Sequence, residues 1–106
     1  IDLLFNNAGA LHWEPITKTQ PKHYDLINNV NSRASFILSH FCLPIMEKQG
    51  YGHILMHSPP IDTTYLKNHT GYLISKFGMT LTALGIAQEY KSTNITANTM
   101  SFMESA

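Results

Sequence analysis

The chain has 106 residues, 43% hydrophobic, 10% aromatic and 13% charged, and seven Lys plus Arg balance seven Asp plus Glu to a formal net charge of zero. That length bounds it to a single domain, and its scattered cations supply neither the basic stripe that holds a nucleic-acid backbone nor the polybasic face that lies on anionic lipid. A single cysteine, Cys42, excludes an internal disulfide framework, and no run approaches the ~18 apolar residues of a membrane span or the order of a signal peptide. We therefore expect a globular intracellular protein, cytoplasmic first, with peroxisome and mitochondrion left open. The chain opens without Met, directly on a strand-like pattern, from which we expect a truncated reading frame or an excised segment.

In chain order, Ile1 to Phe5 is a short apolar run ended by the turn chemistry of Asn6-Asn7-Ala8-Gly9, which reads as strand then loop. Leu11 to Thr19 has no period and should wander over the surface. A helix is expected from about Pro21, where a missing N–H has no partner to lose. From Tyr24 the apolar positions Leu26, Ile27, Val30, Ala34, Ile37, Leu38, Phe41 and Cys42 are spaced by threes and fours, predicting an amphipathic helix of about six turns. Its other face carries Asn28, Asn29, Ser32, Ser35 and Ser39. Pro44 should kink or end it, and Gln49-Gly50 should close the segment. Gly52 to His57 reads as a strand covered on both faces, because Ile54, Leu55 and Met56 are consecutive. After Ser58-Pro59-Pro60 and a loop to His69, Leu73, Ile74, Phe77, Leu81, Leu84, Ile86, Ala87 and Tyr90 predict a second long helix. Asn94 to Thr99 is a weaker third strand. Strand, helix, strand, helix, strand implies an α/β fold with a parallel sheet and right-handed crossovers.

Two patterns carry chemistry. Tyr72 and Lys76 lie four apart at the start of the second helix, on one face. An ammonium beside a phenol stabilises the phenolate and lowers its pKa from about 10, which suits proton transfer to or from a carbonyl/alcohol pair. Alone, Tyr-x-x-x-Lys is a weak signal. Asn6-Asn7-Ala8-Gly9 is more specific, because it follows a strand at the edge where parallel sheets place ligands.

Taken together, these motifs resemble the short-chain dehydrogenase/reductase family, and within it the hydroxysteroid dehydrogenase-like members. The narrower likeness rests on His53-Ile54-Leu55-Met56-His57-Ser58-Pro59-Pro60 and on Tyr72-Leu73-Ile74-Ser75-Lys76-Phe77-Gly78-Met79. The resemblance implies a partial Rossmann-like fold over residues 1–106, the catalytic half of a doubly wound parallel sheet, β-α-β-α-β, without the N-terminal glycine-rich βαβ half. It implies hydride transfer between NAD or NADP and a carbonyl or secondary alcohol, with a small-molecule substrate that is lipid- or steroid-like. By the same likeness Asn6, Asn7, Ala8 and Gly9 steady the sheet and line the adenosine side of the cofactor site. Asn31 helps to hold a proton-relay water, Tyr72 is the acid/base, and Lys76 binds the nicotinamide ribose and depresses the Tyr72 pKa. The two long helices then form the interface of a homo-oligomer.

Three departures set a second reading beside the first. The family's catalytic Ser falls at Pro59, with Ser58 one residue early and so aimed at the other face of a strand. The Pro-Gly step after the third strand falls at Phe102-Met103. None of the six glycines (9, 50, 52, 71, 78, 85) forms the Gly-x-Gly-x-x-Gly loop that receives a pyrophosphate. The alternative is thus a truncated, inactive relative kept as a dimerisation or interaction module. Other residues suggest less. His53 and His57 on one strand stand ~13 Å apart, too far to share an ion, so no metal site is expected. Cys42 reads as packing, the five methionines as gap fillers, and Trp13 beside His12 as either a pocket wall or a partly buried ring.

Overall fold

Each of the three strands is followed or preceded by a helix that its own sequence terminates cleanly, and together they form one parallel layer under one helical layer. The computed structural model describes residues 1–6, 13–58 and 63–100. Its elements are β1 (Leu3–Asn6), a 3₁₀ turn (Ile16–Lys18), α1 (Pro21–Asn28), a wide π turn (Asn29–Arg33), α2 (Ala34–Gln49), β2 (Gly52–His57), α3 (Thr70–Glu89) and β3 (Ile95–Met100). The sheet order is β1-β2-β3, all parallel, with Leu4 beside Ile54 beside Ala97. The expected α/β class with a parallel sheet is therefore present.

Pro21 opens α1 at its first turn, as its missing donor favours. α1, the π turn and α2 follow one another without a break. Pro44 does not end α2: the helix runs on to Gln49, because Cys42 and Met46 on either side of the proline are both buried in the core. It stops where Gly50 takes φ 85° and its N–H donates to the Met46 carbonyl at 2.9 Å, a left-handed closure that glycine adopts without strain.

The buried stripe of these helices follows the one that periodicity selects only in part, at Ile27 and Cys42. Ile27, Asn31, Ser35, Ser39, Cys42 and Met46 face inward, while Leu26, Phe36, Leu38, Phe41 and Ile45 are exposed. The serines can be buried because each hydroxyl donates to the carbonyl one turn back: Ser35 Oγ to Asn31 O at 2.7 Å, and Ser39 Oγ to Ser35 O at 2.8 Å. Their small size lets α3 come close. A Cβ on Gly78 would stand 3.0 Å from Ser32 Cβ and closer still to its hydroxyl. On α3 the inward positions are Ser75, Lys76, Met79, Thr80, Ala83 and Ile86, whereas Leu81 and Leu84 are exposed.

β2 alternates rather than being covered on both faces. Gly52, Ile54 and Met56 are buried under the helices, and His53, Leu55 and His57 on the opposite face are only half-buried. Buried residues of α2 and α3 meet that one face, where Met46, Ile54, Met56 and Met79 are fully buried and fill the centre. Cys42 packs there too, as its sequence position suggested.

The far ends of α2 and α3 are joined by Tyr90, whose hydroxyl donates to the Glu47 carboxylate. That bond, with burial and the charges of Glu47 and Glu89, pushes the Tyr90 phenol up to about 12. A group whose folded pKa is raised adds stability that is whole below its unfolded value, about 10, and is lost as pH climbs through the folded one. Wild-type stability is thus expected to decline between pH 10 and about 12. Tyr90→Phe should flatten that part of the decline and cost about 0.5–1.5 kcal/mol at neutral pH in urea melts.

Candidate active site

The carboxyl ends of β1 and β2 and the first turns of α3 converge, and Tyr72, Lys76 and, through Ser75, Asn31 collect there. Tyr72 lies in the first turn of α3, half-buried, and Lys76 one turn later is only 6% exposed. Lys76 reaches the strand end: its Nζ donates to the His57 carbonyl at 2.6 Å. An ammonium has three donors. Among the described residues its hydrogen-bond partner is that neutral carbonyl, and burial lowers the Lys76 pKa. A buried cation so placed fits a ligand that offers several neutral oxygens, such as the vicinal hydroxyls of a ribose.

For Tyr72 the direction differs from the expected one. Burial raises its phenol above the ordinary value. The reason is where the ammonium goes: Lys76 is engaged by the His57 carbonyl, so the loss of water around the phenol decides its pKa. In this state Tyr72 is a protonated donor throughout the neutral range.

Asn31 sits in the π turn with no exposed surface. The extra residue of this turn shows in its closing bond, the Ala34 N–H to the Asn29 carbonyl, five residues back. Asn31 Nδ2 donates to Ser75 Oγ at 2.9 Å, and Ser75 Oγ donates to the Tyr72 carbonyl at 2.6 Å. The chain Asn31–Ser75–Tyr72 ties the π turn to the backbone of the residue that carries the phenol. Sequence reasoning missed Ser75, although a Ser three residues after Tyr72 is placed to bond back to its carbonyl.

Ser58 does not join this group. It is 1% exposed, and its hydroxyl shares a 2.7 Å bond with Thr80, about two turns beyond Tyr72 on α3. Its backbone N–H donates to the Met100 carbonyl at 3.0 Å, extending the ladder with β3. Asn6 is buried at the end of β1, with Nδ2 3.3 Å from Met56 Sδ, which locks the register of β1 on β2. Asn7, Ala8 and Gly9, and also His12, Pro59 and Phe102-Met103, lie outside the described residues. Trp13 is 60% exposed and meets the ring of His69. Among the described residues no group of three or more His, Cys, Asp or Glu is placed to hold a metal ion, and no helix is long and apolar enough to cross a membrane.

This geometry has known counterparts. Residues 1–102 match the family model described as short chain dehydrogenase. Over 93 residues the chain is 40% identical to hydroxysteroid dehydrogenase-like protein 2 from Homo sapiens and to that from Xenopus laevis, matching 86% of this chain but 22% of either relative. The chain therefore spans less than a quarter of these relatives. A short chain dehydrogenase from Mycobacterium thermoresistibile superposes with a TM-score of 0.87 at 39% identity, covering 95% of this chain and 36% of that one. A metagenomic short-chain oxidoreductase solved in complex with NADP gives a TM-score of 0.85 at 25% identity, covering 94% and 46%. With the parallel sheet, the Tyr72–Lys76 pair and the match over nearly its whole length, the chain belongs to the short-chain dehydrogenase family.

Proposed function

We propose that this chain is the proton-transfer half of an NAD- or NADP-dependent oxidoreductase that interconverts a carbonyl and a secondary alcohol. The observation that carries the reading is the buried Lys76 ammonium, one helical turn from Tyr72 at the carboxyl edge of a parallel sheet and held there by a single strand carbonyl. The nicotinamide group supplies or accepts the hydride when bound. Tyr72 gives its phenolic proton to the carbonyl oxygen as the alcohol forms, and takes it back in the oxidation. Lys76 would hold the ribose hydroxyls of the bound cofactor, and its charge steadies the phenolate left on Tyr72. Asn31, through Ser75, keeps the Tyr72 backbone at a fixed height. Carbonyl polarisation falls to Tyr72 itself, since the Ser58 hydroxyl is taken by Thr80. Adding the chain to NADH or NADPH should enhance nicotinamide fluorescence at low micromolar cofactor. Unchanged emission at millimolar cofactor would favour the interaction-module reading instead.

A second surface supports self-association. α2 and α3 flank a groove lined by Phe36, Leu43, Leu81, Ile86 and Tyr90, and Phe36 and Leu81 are 59% and 60% exposed. Apolar side chains of this size are costly to leave in water, and the helices beside them carry few charges to oppose a second copy. We propose that two copies pair through this groove. Sedimentation should give a dimer mass at micromolar concentration, and Leu81→Glu should return the monomer.

A further inference from the structure

We infer that the Lys76 amine is a nucleophile in its own right: with no nicotinamide bound, it forms an imine with a small ketone or aldehyde and so exchanges the hydrogens beside that carbonyl. The activity needs no redox partner and stands apart from the hydride-transfer reading. Its ground is the contact that holds the amine. Lys76 projects from α3 to the end of β2, where Nζ donates to the His57 carbonyl at 2.6 Å, and the side chain is only 6% exposed. A carboxylate in that place would keep the group an ammonium, because an opposite charge favours the charged form. A neutral carbonyl accepts an N–H from the ammonium and from the amine alike, so the contact outlasts deprotonation. In the amine, the bonded N–H also turns the lone pair away from the strand carbonyl. Burial lowers the Lys76 pKa, so near neutral pH more of it is amine than of a lysine in water. The other lysines, Lys18, Lys22, Lys48, Lys67 and Lys91, are exposed.

Tyr72 supplies the proton that the addition requires. It stands four residues before Lys76 within α3, which sets the two Cβ atoms about 5–6 Å apart on one face, and burial keeps its phenol protonated. The Nζ lone pair forms the C–N bond while the carbonyl π pair moves to oxygen, which takes the Tyr72 proton. The nitrogen then returns a proton to the phenolate. As the C=N bond closes, the hydroxyl takes that proton from Tyr72 and leaves as water, with the iminium on Nζ. Amine and carbonyl thus give iminium and water, and nothing is oxidised or reduced. The iminium acidifies the neighbouring C–H, whose hydrogen exchanges with solvent through the enamine, and water then releases the carbonyl compound and the amine.

The probe is acetone with sodium cyanoborohydride, which reduces the imine and leaves an isopropyl group on the nitrogen that formed it. Peptide mass mapping of the wild-type chain should find Lys76 modified at least about tenfold faster than each of the five exposed lysines. In D2O without reductant, proton NMR should show the acetone methyl hydrogens exchanging at least about tenfold faster with wild type than with Lys76→Arg, which keeps a cation and loses the nucleophile. Tyr72→Phe should slow both processes about tenfold or more. Modification of the exposed lysines with Lys76 spared overturns the proposal, whatever the folding of the variants, and so does exchange that Lys76→Arg leaves unchanged. Saturating NADPH should protect Lys76 from modification. Modification at full rate under NADPH keeps the nucleophile and removes the ribose contact from the oxidoreductase reading, whereas NADPH binding that Lys76→Arg weakens, with Lys76 inert to acetone, keeps that contact and overturns the nucleophile.

Discussion

Replacing Tyr72 by Phe is expected to lower carbonyl reduction by about 10²–10⁴-fold, the usual worth of a positioned proton donor, while nicotinamide binding stays close to wild type. Phe keeps the ring that half-fills the start of α3 and removes only the hydroxyl. The Ser75 bond to residue 72 goes to the backbone carbonyl and is untouched. Structure and cofactor contacts should therefore persist, and the loss should fall on kcat. The sign of the pH dependence follows from the raised phenol. Reduction by wild type should be level through neutral pH and fall as pH rises past the ordinary phenol value of about 10, because the donor form is then lost. Stopped-flow reduction of a ketone by NADPH, with separate fluorescence titration of the cofactor, reads both quantities. Retained turnover in Tyr72→Phe would remove Tyr72 from the reaction.

The second large effect concerns the contact of β2 with α2. A Cβ added to Gly52 would meet the Met46 side chain, with Met46 Cβ at 2.8 Å and its outer atoms nearer. Met46 has no exposed surface and nowhere to withdraw. Gly52→Ala must therefore move α2 away from the sheet, and we expect a loss of about 1–3 kcal/mol in urea unfolding. Met46→Ala alone should cost about 2–5 kcal/mol by leaving a cavity. The double variant should be more stable than the sum of the two losses implies, because the new methyl occupies part of the space that Met46 vacates. Additive losses would mean that the two side chains do not share that space.

Much of the fold could be read from the chain. β2 occupies the span that its apolar run marks, and the Pro21 opening and Gly50 closure are where turn chemistry puts them. Helix faces could not be read the same way. Leu26, Leu38 and Phe41 are apolar and fall on the helical period, yet a period names a stripe without naming what covers it. Ser35 and Ser39 displaced them inward because a hydroxyl satisfied by its own helix loses its polar cost and keeps its small size. Of the two outcomes open to Pro44, ending the helix does not occur, for a related reason: burial on both sides of a proline can outweigh the bond it forfeits. At the site, spacing alone aligned Tyr72 with Lys76, but burial raises the Tyr72 pKa while the Lys76 ammonium bonds an acceptor nineteen residues before it, the His57 carbonyl. Ser75 carried a local signal that a Tyr-x-x-x-Lys reading passes over, since it attends to the ends of the motif and not to its interior.

The wide turn at Asn29–Arg33 makes this architecture sensitive to chain length more than to composition. Deleting one residue there would restore an ordinary helix and rotate everything upstream by about 100° relative to α2. Ile27 could then stay in the core only if Asn31 swung away from Ser75, or the reverse. The phase of the whole segment is thus set by a single surplus residue, and frame-preserving insertions or deletions in this pentapeptide should be far more damaging than the same changes in the segment that precedes Pro21.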